Sequence, residues 1–209
     1  MKKRLLLFLI PFGLILTALK VDHHRWNIKT KPAHKTNIHN EDLKDIIKFP
    51  DPEGVSMNDS RYENKLIPAF ENPLHLKEGD LIKVKGYIHL VAFEKEDDEY
   101  HIQISSSKTD GDNCLIVEVP DPKNTDDSEL KKNYENVRSF IRERLLHGKE
   151  PSRSGNLIGG RAYVYVTGQL FYDAAHSHNQ IRGKKGMRSN CLWEIHPIID
   201  MNFAVKPLN

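Results

Sequence analysis

Six side chains in this sequence are of the types that move protons or hold cations: His101, Glu118, Asp173, His176, Glu194 and His196. Imidazole and carboxylate are the ligands of a hydrolytic zinc or manganese site, and the same groups serve as general acid and base. None has the helical HExxH spacing, and no CxxC pair is present. Glu194 and His196 are two residues apart, which in a strand puts both on one face. A second group is cationic. The segment 174–190 holds His176, His178, Arg182, Lys184, Lys185 and Arg188 with two glycines and no acid. Such a loop is suited to gripping phosphate or another anion, with Arg182, Lys184, Lys185 and Arg188 as its contacts. A third pair, Tyr163 and Tyr165, offers rings that stack on bases or sugars or pack beneath another part of the chain.

The elements that must position these groups are legible between residues 79 and 203. Ile82, Val84, Ile88 and Leu90 alternate with Lys83, Lys85, Tyr87 and His89, the period of a half-buried strand, and Gly86 suits a bend. An acidic turn, 94–99, leads to a second strand in which Tyr100, Ile102 and Ile104 oppose His101, Gln103 and Ser105. Leu115, Val117 and Val119 make a third, stopped by Pro120 and Pro122. Leu130, Tyr134, Val137, Ile141 and Leu145 then form one apolar helical stripe, with Asp126 and Glu129 as a capping box and Gly148 as the stop. A fourth strand spans 159–173 and a fifth 191–203, where Pro197 predicts an edge or a bulge.

The order β-β-β-α-β-β predicts a mainly β fold, a five-stranded barrel of the oligonucleotide/oligosaccharide-binding (OB) type with one amphipathic helix, over residues 78–206. Its fourth-to-fifth loop, 174–190, is one of the places where such barrels contact ligands.

Ahead of the barrel lie two other segments. Residues 1–20 hold Lys2, Lys3 and Arg4 followed by an uncharged run over 5–19, an export signal cleaved near Ala18 or kept as a short membrane anchor. This places the protein in the cell envelope, periplasmic or secreted. No cysteine follows the apolar run, which excludes a lipoprotein signal. Residues 21–77 read as a polar stalk or extension that wraps on the barrel, with one short helix over 41–49 and five scattered histidines, His23, His24, His34, His39 and His75, in a solvated linker.

Charge narrows the partners. Lys2, Lys3, Arg4 and Lys20 are four of the 31 basic residues, and none of the 29 acids precedes residue 21, so the remainder carries 27 basic against 29 acidic residues. A near-neutral body lacks the overall field of a nonspecific nucleic-acid binder, so such binding must use a local patch. Cys114 and Cys191 either pair, as export permits, or remain two buried thiols.

The run Val166-Thr167-Gly168-Gln169-Leu170-Phe171-Tyr172-Asp173, the His-bearing loop and Trp193-Glu194-Ile195-His196-Pro197-Ile198 resemble the C-terminal half of a family of uncharacterised, mostly bacterial, OB-like domains. Tyr100-His101-Ile102 and Ile116-Val117-Glu118-Val119-Pro120 match the strands that precede it. The resemblance implies the barrel over 79–203 and carries no activity with it.

Two functions follow as expectations. One is an exported or membrane-anchored binding module, which holds an anionic polymer, an oligosaccharide or a protein on the barrel face and the 174–190 loop. It needs no cofactor. The other is an exported hydrolase, of phosphodiesterase or nuclease type, that uses a divalent metal held by the His/Glu/Asp cluster. The two separate on whether those side chains converge.

Overall fold

The computed structural model describes residues 25–32, 37–56, 59–159, 162–176 and 182–206. The expected signal over 1–20 and His23, His24, His34 and His178 lie outside them. Among the described residues no helix is long and apolar enough to cross a membrane.

In chain order the elements are α1 (Trp26–Thr30), β1 (Ile38–Asn40), α2 (Leu43–Ile47), β2 (Leu81–Glu94), β3 (Glu99–Ser105), β4 (Leu115–Val119), α3 (Ser128–Phe140), β5 (Asn156–Leu157), β6 (Tyr163–Tyr172) and β7 (Trp193–Phe203). Five strands close a barrel in the order β2-β3-β4-β7-β6, with β6 pairing back onto β2. Every pair in it is antiparallel except β4 with β7. The expected β-β-β-α-β-β order is therefore present. β1 and β5 are additions that pair with the two ends of β2.

β2 serves two neighbours in turn, β6 over its first half and β3 over its second, and the exchange falls at Tyr87. Gly86 sits beside that point. A Cβ there would lie 2.8 Å from Leu43 Cδ2 and 3.0 Å from the Ser105 carbonyl, so the missing side chain is what lets α2 approach the barrel. Between β6 and β7 the register shifts around Gly168, opposite Pro197. Since β7 has a partner on each side, the bulge and not the edge is what the proline marks.

Helix α3 crosses between the third and fourth barrel strands and continues as a π-helical turn, Ile141–Leu145. Leu130, Tyr134, Val137 and Ile141 are buried as the stripe requires. Its cap is Asp127, one residue later than expected, whose carboxylate accepts from the Glu129 and Leu130 amides.

Two open alternatives are narrowed. The described part of residues 21–77 is an extension packed on the barrel and not a free stalk: Leu43, Ile46, Phe49, Ile67 and Leu76 join the hydrophobic core, and Phe49 and Phe70 pack on Trp193 at centroid distances of 5.0 and 6.2 Å. Cys114 and Cys191 are separate buried thiols, so the disulfide alternative falls; burial pushes the Cys191 thiol up to about 12.

The barrel interior takes Tyr100, Ile102 and Ile104 from β3, Leu115, Val117 and Val119 from β4, and Trp193 and Ile195 from β7. Alternation turns Glu99, His101 and Gln103, Glu118, and Glu194 and His196 to the outer face. That face is buried too, beneath Lys29 of α1, His176 and the residues from Arg182 to Lys184. A charged outer face roofed by its own chain is where the chemistry of this fold collects.

Candidate functional site

The register assembles the group. His101 pairs with Glu118 across β3 and β4, and Ile116 with Glu194 across the parallel β4–β7 ladder, so the next outward positions, Glu118 and His196, come side by side. His101 Nδ1 lies 2.7 Å from Glu118 Oε1. His196 Nδ1 is 3.1 Å from Glu118 Oε2 and 3.7 Å from Glu194 Oε2, and its Nε2 is 3.1 Å from Glu99 Oε2. Beyond Glu194, Arg182 Nη2 donates to Glu194 Oε1 and, at 2.8 Å, to Asp173 Oδ2, which also meets His176 Nδ1 at 2.6 Å.

Above the group opens a cavity of about 520 Å³ lined by Lys29, Glu94, Glu96, Asp97, Glu99, His101, Ile116, Glu118, Asp173, His176, Arg182, Gly183, Lys184 and Glu194. Seven carboxylates thus face three permanent cations, and the cavity is net acidic. His196 lies behind its wall with no exposure.

The roof is fastened at specific points. Gln103 Oε1 accepts from the Lys184 amide at 2.9 Å, and Lys184 Nζ pairs with Glu94 at 2.6 Å. Gly183 has φ +110°, and a Cβ on it would strike the Met187 carbonyl and come within 2.6 Å of Gln103 Nε2. Only glycine fits so close a contact in that conformation. From the other side Gln169 Nε2 donates to the Ile28 carbonyl, which seats α1 and its Lys29 at the cavity.

Burial first, and then the Glu118 charge, raise the Glu99 carboxyl to about 7 against the pull of His196 and Lys29. Burial works the same way on Glu118, yet the His101 and His196 rings hold it well below the ordinary carboxylate range. Both imidazoles are raised: burial opposes their charge, and Glu118 beside His101 and Glu99 beside His196 outweigh it. Lys29 likewise stays charged, since Glu99, Asp173, Glu118 and Glu194 overcome its desolvation.

Asp173 gives a pH prediction. Burial would raise its carboxyl, but His176 and Arg182 hold it far below the usual range, and it is only 4 % exposed. A depressed carboxyl contributes stability that is full above its unfolded value, about 4, and is lost as pH falls below that value toward the folded one. Melting temperature followed from pH 6 to pH 3 should fall less steeply in Asp173→Asn than in the wild type. Equal slopes would remove Asp173 from the acid response.

All six metal or acid–base residues expected from sequence meet at this one place, five in the cavity lining and His196 behind it. The anion-gripping group comes there only in part, Arg182 and Lys184 lining the cavity with their charges turned to acids. Arg182 is buried between two acids, Lys184 is paired with Glu94, Arg188 stands 4.0 Å from Asp112, and exposed Lys185 is absent from the lining. The charges of Arg182 and Lys184 are taken up by Asp173, Glu194 and Glu94, which a count within the loop misses. Tyr163 and Tyr165 lie at the other end of β6, on Tyr87 at 4.7 Å and beneath Lys83 Nζ at 4.1 Å.

Sequence reasoning missed Glu99 and Lys29. Glu99 was assigned to the acidic turn, although its spacing from His101 and Gln103 marks the same outward face. Nothing local marks Lys29, which α1 brings from outside the barrel. Comparison of the chain with family models, with curated proteins and with solved structures finds no match, so the side chains themselves must carry the functional argument.

Proposed function

We propose that this protein is a hydrolase built on an OB-like barrel, exported by its first 20 residues, and that the cavity over β3, β4 and β7 is its active site. The observation that carries the reading is the oriented imidazole of His101. Glu118 holds its Nδ1 at 2.7 Å, while its Nε2 is buried at the cavity wall with no hydrogen-bond partner. An imidazole fixed by a carboxylate through one nitrogen and free at the other is the arrangement of a proton carrier.

In this reading His101 Nε2 takes a proton from water as its oxygen adds to the electrophilic centre, and returns it to the leaving group as that bond breaks. Burying so many charges on a barrel's outer face gives little stability, since apolar residues of like volume serve as well or better. A working site explains them more directly than a scaffold does. The cavity volume suits a small ester or a short segment of a larger one, and its acid excess argues against holding a polyanion unaided.

The test is a panel of carboxylic ester, phosphomonoester and phosphodiester substrates offered to the full chain and to His101→Gln. One class should be turned over, with a loss of about 10²–10⁴-fold in the variant. Saturable ligand binding without turnover of any class would instead make the cavity the pocket of a binding module.

A further inference from the structure

We propose that Glu99, Glu118 and His196 form a divalent-cation site beneath the cavity, selective for zinc or manganese. This deepens the hydrolase reading and shares its cavity, but the site stands on its own geometry.

Three adjacent strands supply the ligands: β3 gives Glu99, β4 Glu118 and β7 His196. One ligand atom from each lies within 4.8 Å of the others. The three residues are 2, 7 and 0 % exposed, so their polar atoms depend on one another or on a bound ion.

Their mutual geometry is that of ligands more than of hydrogen-bond partners. Both His196 nitrogens lie 3.1 Å from a carboxylate oxygen, yet neither nitrogen makes an aligned hydrogen bond, and neither does Glu99 Oε2. Two atoms each about 2.1 Å from a shared cation are about 3.0–3.5 Å apart at octahedral or tetrahedral angles. Only one His196 nitrogen can face the ion, so one of its two close approaches to a carboxylate is a contact between fellow ligands, close without alignment because their lone pairs point at the ion.

The surroundings complete the site. Glu118 Oε1 is held by His101, which fixes the plane of that carboxylate as outer partners of metal ligands do. Arg182 occupies Glu194 and Asp173, keeping both away from the ion. A cavity lined by seven carboxylates and three permanent cations favours a dication. Glu99 and Glu118 reach the cavity wall while His196 does not, so the free coordination positions face the cavity, the arrangement of catalytic and not structural sites. One imidazole with two carboxylates suits zinc or manganese better than calcium or magnesium, which take oxygen alone.

The rival arrangement has no metal: a protonated His196 clamped between Glu99 and Glu118. The experiment is titration of the chelator-treated full chain with Zn²⁺ or Mn²⁺ by calorimetry and elemental analysis, for wild type and for the near-isosteric Glu99→Gln. One equivalent should bind to the wild type, with affinity at least 100-fold weaker in the variant. In wild-type protein labelled at histidine, substoichiometric Mn²⁺ should broaden the His196 ring resonances before those of exposed His39 and His75. That readout needs no variant to fold. Absence of stoichiometric metal, or binding that ignores Glu99→Gln and spares His196, would overturn the site in favour of the imidazolium clamp. Ester turnover measured on the same samples separates the two proposals: turnover without metal leaves the hydrolase and removes the site, and metal without turnover does the reverse.

Discussion

Replacing Arg25 with methionine should destabilise the protein by about 3–5 kcal/mol, the cost of leaving a buried carboxylate without its cation. Arg25 and Glu78 are both fully buried, and the guanidinium grips the carboxylate through both nitrogens at 2.7 Å. It also donates to the carbonyls of Tyr62, Lys65 and Tyr172, and lies 5.0 Å from the Phe171 ring. Glu78 would keep only the Ile67 and Tyr172 amides. For a chain of this size the melting temperature should drop on the order of 10 °C, read by circular dichroism. Adding Glu78→Gln should return part of the loss, since the worst residue of the single change is an unpaired charge. A single variant within about 0.5 kcal/mol of the wild type would show that the N-terminal segment is not anchored this way.

Glu118→Gln should have the largest functional effect. Its two oxygens divide between His101 and His196, so one side chain orients the proton carrier and holds the proposed cation. An amide nitrogen in place of Oε1 sets a donor against the ring N–H of His101, and in place of Oε2 takes an anionic oxygen from the proposed cation site. Turnover should fall at least 100-fold and metal affinity by a similar factor. A distinct readout is the titration of His101 followed by NMR: with the Glu118 charge gone, burial is opposed only by the more distant Glu194 and Glu94, and its pKa should fall. An unmoved His101 accompanied by lower activity would assign Glu118 a packing role alone.

The barrel was legible because its strands alternate cleanly. Ile82 to Leu90, Tyr100 to Ser105 and Leu115 to Val119 each declare one apolar face, and the Leu130 to Leu145 stripe separates them from the last two strands. Of the site, the face shared by Glu194 and His196 was legible from their spacing. What escaped was long-range. Glu99 looked like part of a turn because Glu94, Glu96, Asp97 and Asp98 precede it, and only its pairing with Glu94 across β2 and β3 shows that it opens a strand. The 174–190 loop looked like an anion grip because its partners lie outside it, Asp173 and Glu194 just beyond its ends and Glu94 and Asp112 far off in sequence. Residues 25–77 looked solvated because, outside the short helix that carries Leu43 and Ile46, their core contacts at Ile67 and Leu76 are few and irregularly spaced, so no period exposes them as one buried set.

The parallel ladder of β4 with β7 has a kinetic consequence. It joins Ile116 to Glu194 and Val117 to Ile195, the pairing of barrel neighbours most distant in sequence apart from the closure of β2 onto β6. Loop-closure entropy makes such contacts late events in folding. Glu118 can meet His196 only once that ladder is in place, and β7 is the last of the five barrel strands in chain order. A nascent or partly folded chain therefore carries these acids and imidazoles apart, and the pocket comes into being together with the finished barrel.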